Sequence, residues 1–559
     1  VSDRIDRRSF LARGLLSATG VAAAGAGGGL LLSACSSGSS PSGSGTASGS
    51  RNGVATGTPR RGGSLIFGVE AEEQGFDPAT GRFDTTGVLY ARTVFDPLTV
   101  IAADGSVQPY LAKSVMPNPD YTVWTITTRP GITFHDGTPC DAAAVAGSLE
   151  HFLTGLLGIT LSVVSNVSAS ASDTVTITLK QPWVPFAAYL AGGIGGQAGY
   201  IIAPSMIADK NGSQHPVGTG PYKFSEWVPN DHFTAVRNPS YWRSGMPYLD
   251  QITYRPIADG QQRADALQAG NIDMMHTTLD TSILQFRSDS SYGYVDDSEH
   301  VVGEPDMNFV MLNVQADPFK DIRVRQAMAM AIDSKQYSRI IDKGVNAPSN
   351  GPFVQGSPYY SADSGYPAYN PSQAKALVQQ VAHDTGKPVS FTLTGTPDAH
   401  TVQAAQYVQN QLQQVGMQVQ LSQVQQADEI NLALSGNYQA VQWRQFAAVD
   451  PDLNYLWWSP TEIYGSIAPN FARNTDPQIE TLLQTGRRST DPAARAQAYK
   501  SLAQRLNQDL PYIWTDRTTW AVVARDKVQN FNNPTTPAGG KAYGMIVGTV
   551  WTPQIWLST

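Results

Sequence analysis

Cysteine is nearly absent: the 559 residues hold only Cys35 and Cys140. At most one disulfide could form, so a large apolar core has to carry stability. Charge is also sparse, at 15% of residues, with 46 acids against 38 bases. A net acidic chain suits neither nucleic acid nor anionic lipid, both of which need clustered Lys and Arg, so no nucleic-acid partner is expected. Catalytic signatures are missing: there is no Gly-x-Ser-x-Gly, His-Glu-x-x-His, Cys-x-x-Cys or P-loop. The eight histidines (135, 151, 215, 232, 276, 300, 383, 400) include no pair at a ligand spacing, so neither a metal site nor a cofactor is expected. Gly193 to Ala198 has the spacing of a dinucleotide fingerprint, but Gly199-Tyr200-Ile201-Ile202-Ala203-Pro204 starts no helix, and a loop is expected. Cys140 has no histidine close in sequence and is expected as a packed thiol at a helix start.

What the N-terminus does contain is distinctive. Asp6-Arg7-Arg8-Ser9-Phe10-Leu11 resembles a twin-arginine export signal, and residues 14–32 form an apolar run. Leu32-Ser33-Ala34-Cys35 then resembles a lipobox, in which the cysteine is acylated and becomes the first mature residue. A run of about 19 residues could span a bilayer, but its glycines and the terminal Cys35 favour a lipid anchor. Residues 36–61 are dominated by Ser, Gly, Ala, Pro and Thr, the composition of a flexible tether. Without the signal, 34 bases face 44 acids, a net charge of −10. No second hydrophobic span follows. The expected location is extracytoplasmic, with the chain held by lipid to the outer face of the cell membrane.

The body beyond Gly62 is patterned as α/β. Leu65 to Val69, Tyr121 to Thr128 and Asp173 to Leu179 have strand patterns, and Asp141 is placed to cap a helix running to Phe152. Val402, Ala405, Val408, Leu412 and Val415 fall on one helical face, Gly416 stops it, and Met417, Val419 and Leu421 alternate as a strand. Helix, glycine and strand recur at Arg263 to Gln268, Gly270 and Ile272 to Met274. Such units lay helices on sheets.

Val217-Gly218-Thr219-Gly220-Pro221-Tyr222-Lys223-Phe224, continuing through Trp227 to Arg237-Asn238-Pro239-Ser240-Tyr241-Trp242, resembles the signature of the dipeptide/oligopeptide-type solute-binding proteins of bacterial ABC importers. Five further segments resemble that family in colinear order: Arg129 to Gly137, Ala266 to Asp273, Phe319 to Ala327, Asp450 to Asn454 and Leu510 to Ile513. Most of these residues are expected to be scaffold. Gly218 and Gly220 should supply turn conformations closed to side chains, with Tyr222, Trp227 and Trp242 packed beneath. The resemblance implies an α/β, two-lobed periplasmic-binding-protein fold with an extra subdomain, its lobes hinged around a central cleft. It places lobe I at 62–107 and 200–304, the subdomain at 108–199, lobe II at 305–509, and the return to lobe I at 510–559. It further implies a monomer that captures a small solute, peptide or peptide-like, hands it to ABC permease subunits and does no bond chemistry.

Peptide-binding members hold the ligand's ammonium with an Asp in this region, because a buried cation needs a paired carboxylate. Here the matching positions are Phe446 and Ala447, with Arg444 nearby, so the usual clamp is missing. Asp450 could substitute, or could cap its own turn. Aromatic walls are expected from Trp443, Phe446 and Trp457, and on the first lobe from Phe76 and Phe83, with Arg82 as a partner for a ligand carboxylate. Related proteins also take oligosaccharides, haem, opines, glutathione and metal chelates, and those alternatives stay open. An exported hydrolase using a scattered carboxylate pair is the rival of a different class.

Overall fold

The computed structural model describes residues 52–558 except 56, 82, 194, 299–303 and 466. Cys35, Arg82 and the signal segment therefore lie outside the described residues.

The fold is organised by two mixed sheets. The first has seven strands in the order Tyr292–Asp296, Ala521–Arg525, Met274–Thr277, Ser64–Val69, Gln251–Pro256, His232–Arg237 and Tyr222–Val228. Ser64–Val69 lies parallel to both its neighbours at the centre. Leu65, Phe67 and Val69 point into one apolar cluster while Ile66 points into another, so both faces of this strand are covered. The second sheet has six strands, in the order Ala347–Pro348, Tyr512–Arg517, Met307–Leu312, Ala440–Gln445, Ser390–Gly395 and Gln418–Gln423. Its central strand divides in the same way: Val310 and Leu312 face one core, and Met307, Phe309 and Met311 the other. A separate four-stranded antiparallel sheet, Ala112–Pro117, Val123–Thr128, Thr174–Leu179 and Val164–Ala171, comes in the chain between the first sheet's strands Ser64–Val69 and Tyr222–Val228.

Local signals act as their chemistry requires. Asp141 accepts from Ala144 N and caps the helix Ala142–Thr154. Gly416, at φ +97°, follows the helix Ala399–Gln414, and the strand Gln418–Gln423 begins two residues later. Cys140 is buried, which pushes its thiol up to about 12.

Two details differ from the sequence reading. Tyr512–Arg517 pairs with Met307–Leu312 in the second sheet, so the chain returns to the first sheet only after Arg517 and not at 510. Neither Gly218 nor Gly220 has positive φ. They are needed for a close approach: a Cβ on Gly218 would stand 2.3 Å from Val94 O, and one on Gly220 2.4 Å from Val94 C. The rest of that signature packs around Asp96, whose carboxylate accepts from Thr219 Oγ1 (3.0 Å), Tyr241 Oη (2.9 Å) and Trp242 Nε1 (2.8 Å).

Candidate binding cleft

The chain leaves the first sheet after Asp296 and joins the second at Met307, and it passes back between Arg517 and Ala521. The crossings are tied together. Trp520 donates its backbone N–H to Asp297 Oδ1 (2.9 Å) and its indole N–H to Asp306 Oδ2 (3.0 Å), while Asp297 N donates to Trp520 O (3.2 Å). Thr518 N donates to Asp306 O at 3.0 Å. Two short, bonded crossings are the construction of a hinge.

A cavity of about 1180 Å³ opens between the sheets, lined from both sides. The first sheet contributes Glu70, just beyond Ser64–Val69, together with Phe83 and Asp84 before the helix Thr85–Val94. From the second come residues of 396–401, the helix Gln426–Ser435, and the end of Ala440–Gln445. This volume would hold a solute of several residues or a few rings.

Of the residues expected at a site, Phe83, Trp443, Arg444, Phe446 and Trp457 line this cavity. Phe446 sits at φ +87°, an uncommon backbone for an aromatic residue. Asn454 Nδ2 bonds its carbonyl at 3.0 Å, and its ring stacks on Phe309 with centroids 5.0 Å apart. Phe76 is not at the cavity: it is core, against Phe233 (4.9 Å), Trp227 (5.0 Å) and Tyr90 (5.8 Å). Asp450 is not there either. It caps the turn Pro451–Asn454 through Asp452 N (2.9 Å) and pairs with Arg495 at 2.5 Å, so its charge is already committed.

Arg444 bridges the halves, with Nη2 3.5 Å from Glu70 Oε1, Nε 3.8 Å from Asp306 Oδ2, and its guanidinium 5.0 Å from the Trp520 ring. A second bridge forms at Asp452, which is buried and paired with Arg487 at 3.0 Å. Trp183 Nε1 donates to Asp452 Oδ2 at 2.6 Å, and Tyr189 Oη donates to its backbone carbonyl at 2.6 Å. Lys343 also pairs with Asp280.

Sequence reasoning missed most of the charged lining: Glu70, Asp84, Asp259, Arg263, Asp306, Asp398, His400 and Glu429. Burial raises the Asp84 carboxyl, and burial beside Asp84 pushes Glu73 up to about 10. Burial, and then the neighbouring Asp398, pushes Glu429 up to about 8. Asp84, Asp259 and Asp398 carry the ordinary signal of helix caps, which does not reveal that they border a cleft.

The description "Bacterial extracellular solute-binding proteins, family 5 Middle" matches residues 106–464. The glutathione-binding protein GsiB of Pectobacterium atrosepticum is 27% identical over 476 residues, covering 80% of this chain and 87% of that protein. Among solved structures, Helicobacter pylori DppA in complex with the peptide STSA superposes with TM-score 0.77 at 22% identity, covering 89% of this chain and 99% of that one. Agrobacterium AgaA in complex with agropinic acid gives TM-score 0.76 at 23% identity, covering 89% and 99%. With the hinge and cleft already evident, these likenesses agree on the architecture, and the chain belongs to family 5 of the bacterial extracellular solute-binding proteins, the receptors that serve ABC importers.

Proposed function

We propose that this chain captures a small peptide or peptide-like solute between its lobes and delivers it unchanged to an ABC permease. The observation that carries this reading is the cavity of about 1180 Å³ beside a two-segment hinge, walled by aromatic side chains and rimmed by charge. Relatives named for glutathione and a neighbour holding STSA lie on the peptide side of the family. Closure over the solute buries it, and only a ligand that binds the closed form better can shift the lobes toward closure. Phe83, Trp443, Phe446 and Trp457 serve as walls, and Arg444 links the closed halves. The lobe I, subdomain and lobe II division is part of the same reading, with the return crossing after Arg517.

We further propose that the mature chain starts at an acylated Cys35 and is tethered outside the cell membrane by residues 36–61. Incubation of the purified body with short peptides should raise its thermal midpoint and return every peptide intact. Cleaved peptide would overturn the receptor reading in favour of a hydrolase. Fatty-acid labelling in cells should disappear in Cys35→Ser, and persistent labelling would refute the anchor.

A further inference from the structure

The missing ammonium clamp leaves a question that the cavity wall answers. Six carboxylates border the cleft among the described residues: Glu70, Asp84, Asp259, Asp306, Asp398 and Glu429. Five are occupied. Glu70 and Asp306 face Arg444. Asp84 accepts from Thr86 N and Gly87 N, Asp259 from Gln262 N, and Asp398 from Thr401 N and Thr396 Oγ1. Glu429 has no such employment. Its side chain makes no hydrogen bond or ion pair among the described residues, the residue is 6% exposed, and its buried Oε1 has no partner.

We propose that Glu429, backed by the charge of Asp398, is the seat for a cationic group, an ammonium or guanidinium, on the captured solute. The assignment rests on the reading of this cleft as the solute site. Glu429 is the fourth residue of the helix Gln426–Ser435, past the reach of a capping side chain, so its carboxylate is free of the helix's own N–H groups. An unpaired ionised carboxylate in a closing cleft is costly, and a cation from the solute removes that cost. The cations already at the cavity do not compete. Arg444 is matched by two acids, Arg263 is bonded to the carbonyls of His276 and Ile257, and His400 pairs with Asp342 at 3.2 Å. The guest's charge is thus read from the second lobe, by a residue outside the segment where the family pattern would put it.

Native mass spectrometry of the full mature chain, as wild type and as Glu429→Gln, tests this with three tripeptide mixtures. One has free amino termini and lacks Lys and Arg, the second is its N-acetylated counterpart, and the third is N-acetylated but contains Lys. Wild type should retain the first and third and release the second, and Glu429→Gln should hold the first and third about 30-fold more weakly, equivalent to about 2 kcal/mol. Equal retention by both proteins, or equal retention of the first and second mixtures by wild type, overturns the seat and leaves the receptor reading standing. No retention of any mixture by wild type overturns the peptide reading and the seat with it. Without ligand, Glu429→Gln should unfold at or above the wild-type temperature; a lower midpoint shows that Glu429 is a structural prop and overturns the assignment.

Discussion

Trp183→Phe should weaken solute binding without touching the cleft. Trp183 belongs to the segment carrying the four-stranded sheet, and its indole N–H reaches Asp452 of the opposite lobe at 2.6 Å. Phenylalanine removes that donor, while Asp452 keeps Arg487 at 3.0 and 3.2 Å. A hydrogen bond to a charged acceptor contributes about 1.5–3 kcal/mol. The bond exists only where the two halves meet, so its loss weighs on the closed form alone, whereas the packing lost beside Phe186 and Tyr189 is common to both forms. If the closed form is the one that holds solute, the apparent Kd rises by the same free energy, about 10- to 150-fold. Titration calorimetry with a retained peptide reads the affinity, and small-angle scattering of the unliganded protein reads the lobe separation. Hydrogen exchange in the helix Pro477–Arg488 checks that the second lobe is intact, since Arg487 lies 4.5 Å over the Trp183 ring and must keep its pair with Asp452 in the variant. Unchanged affinity together with unchanged scattering would refute the view that this contact latches the lobes.

Three further outcomes are expected. Gly220→Ala should lower stability by about 1–3 kcal/mol in chemical denaturation, because its Cβ would meet main chain at Val94 C, which cannot swing aside. Arg444→Gln should loosen closure by about 1 kcal/mol, seen as a several-fold weaker Kd, since it leaves Glu70 and Asp306 unmatched beside the hinge at a partly exposed position. Glu304→Gln should be within about 1 kcal/mol of wild type at pH 5 and more stable at pH 9 by about 3–5 kcal/mol. Burial pushes Glu304 up to about 8, so folding favours its protonated form, and the penalty grows as pH rises from its ordinary value of 4.5 through 8. Equal stability at both pH values would show that the carboxylate is not desolvated.

The sequence revealed elements more readily than the site. Asp141, Gly270 and Gly416 mark helix boundaries because capping and left-handed turns are local events recorded within a few residues. The cleft was legible along one strand end, from Trp443 to Phe446, and at the single aromatics Phe83 and Trp457. Glu70, Asp259, Asp398 and Glu429 come from separate elements, and nothing in the local pattern distinguishes an acid facing a cavity from one facing solvent. Phe76 shows the converse: its loop has the position of a ligand wall, yet four surrounding rings make it core. Gly218 and Gly220 were recognised as necessary for the wrong reason, since close approach by a distant helix end leaves no mark on the neighbouring sequence.

Trp520 bonds Asp297 and Asp306, at the two ends of the other crossing, through its amide, its carbonyl and its indole. Straps fastened side by side resist twisting and sliding far more than they resist bending. Jaws joined in this way would retrace a single arc and meet a cargo in the same register at each bite, so discrimination would lie in the fixed arrangement of the two walls.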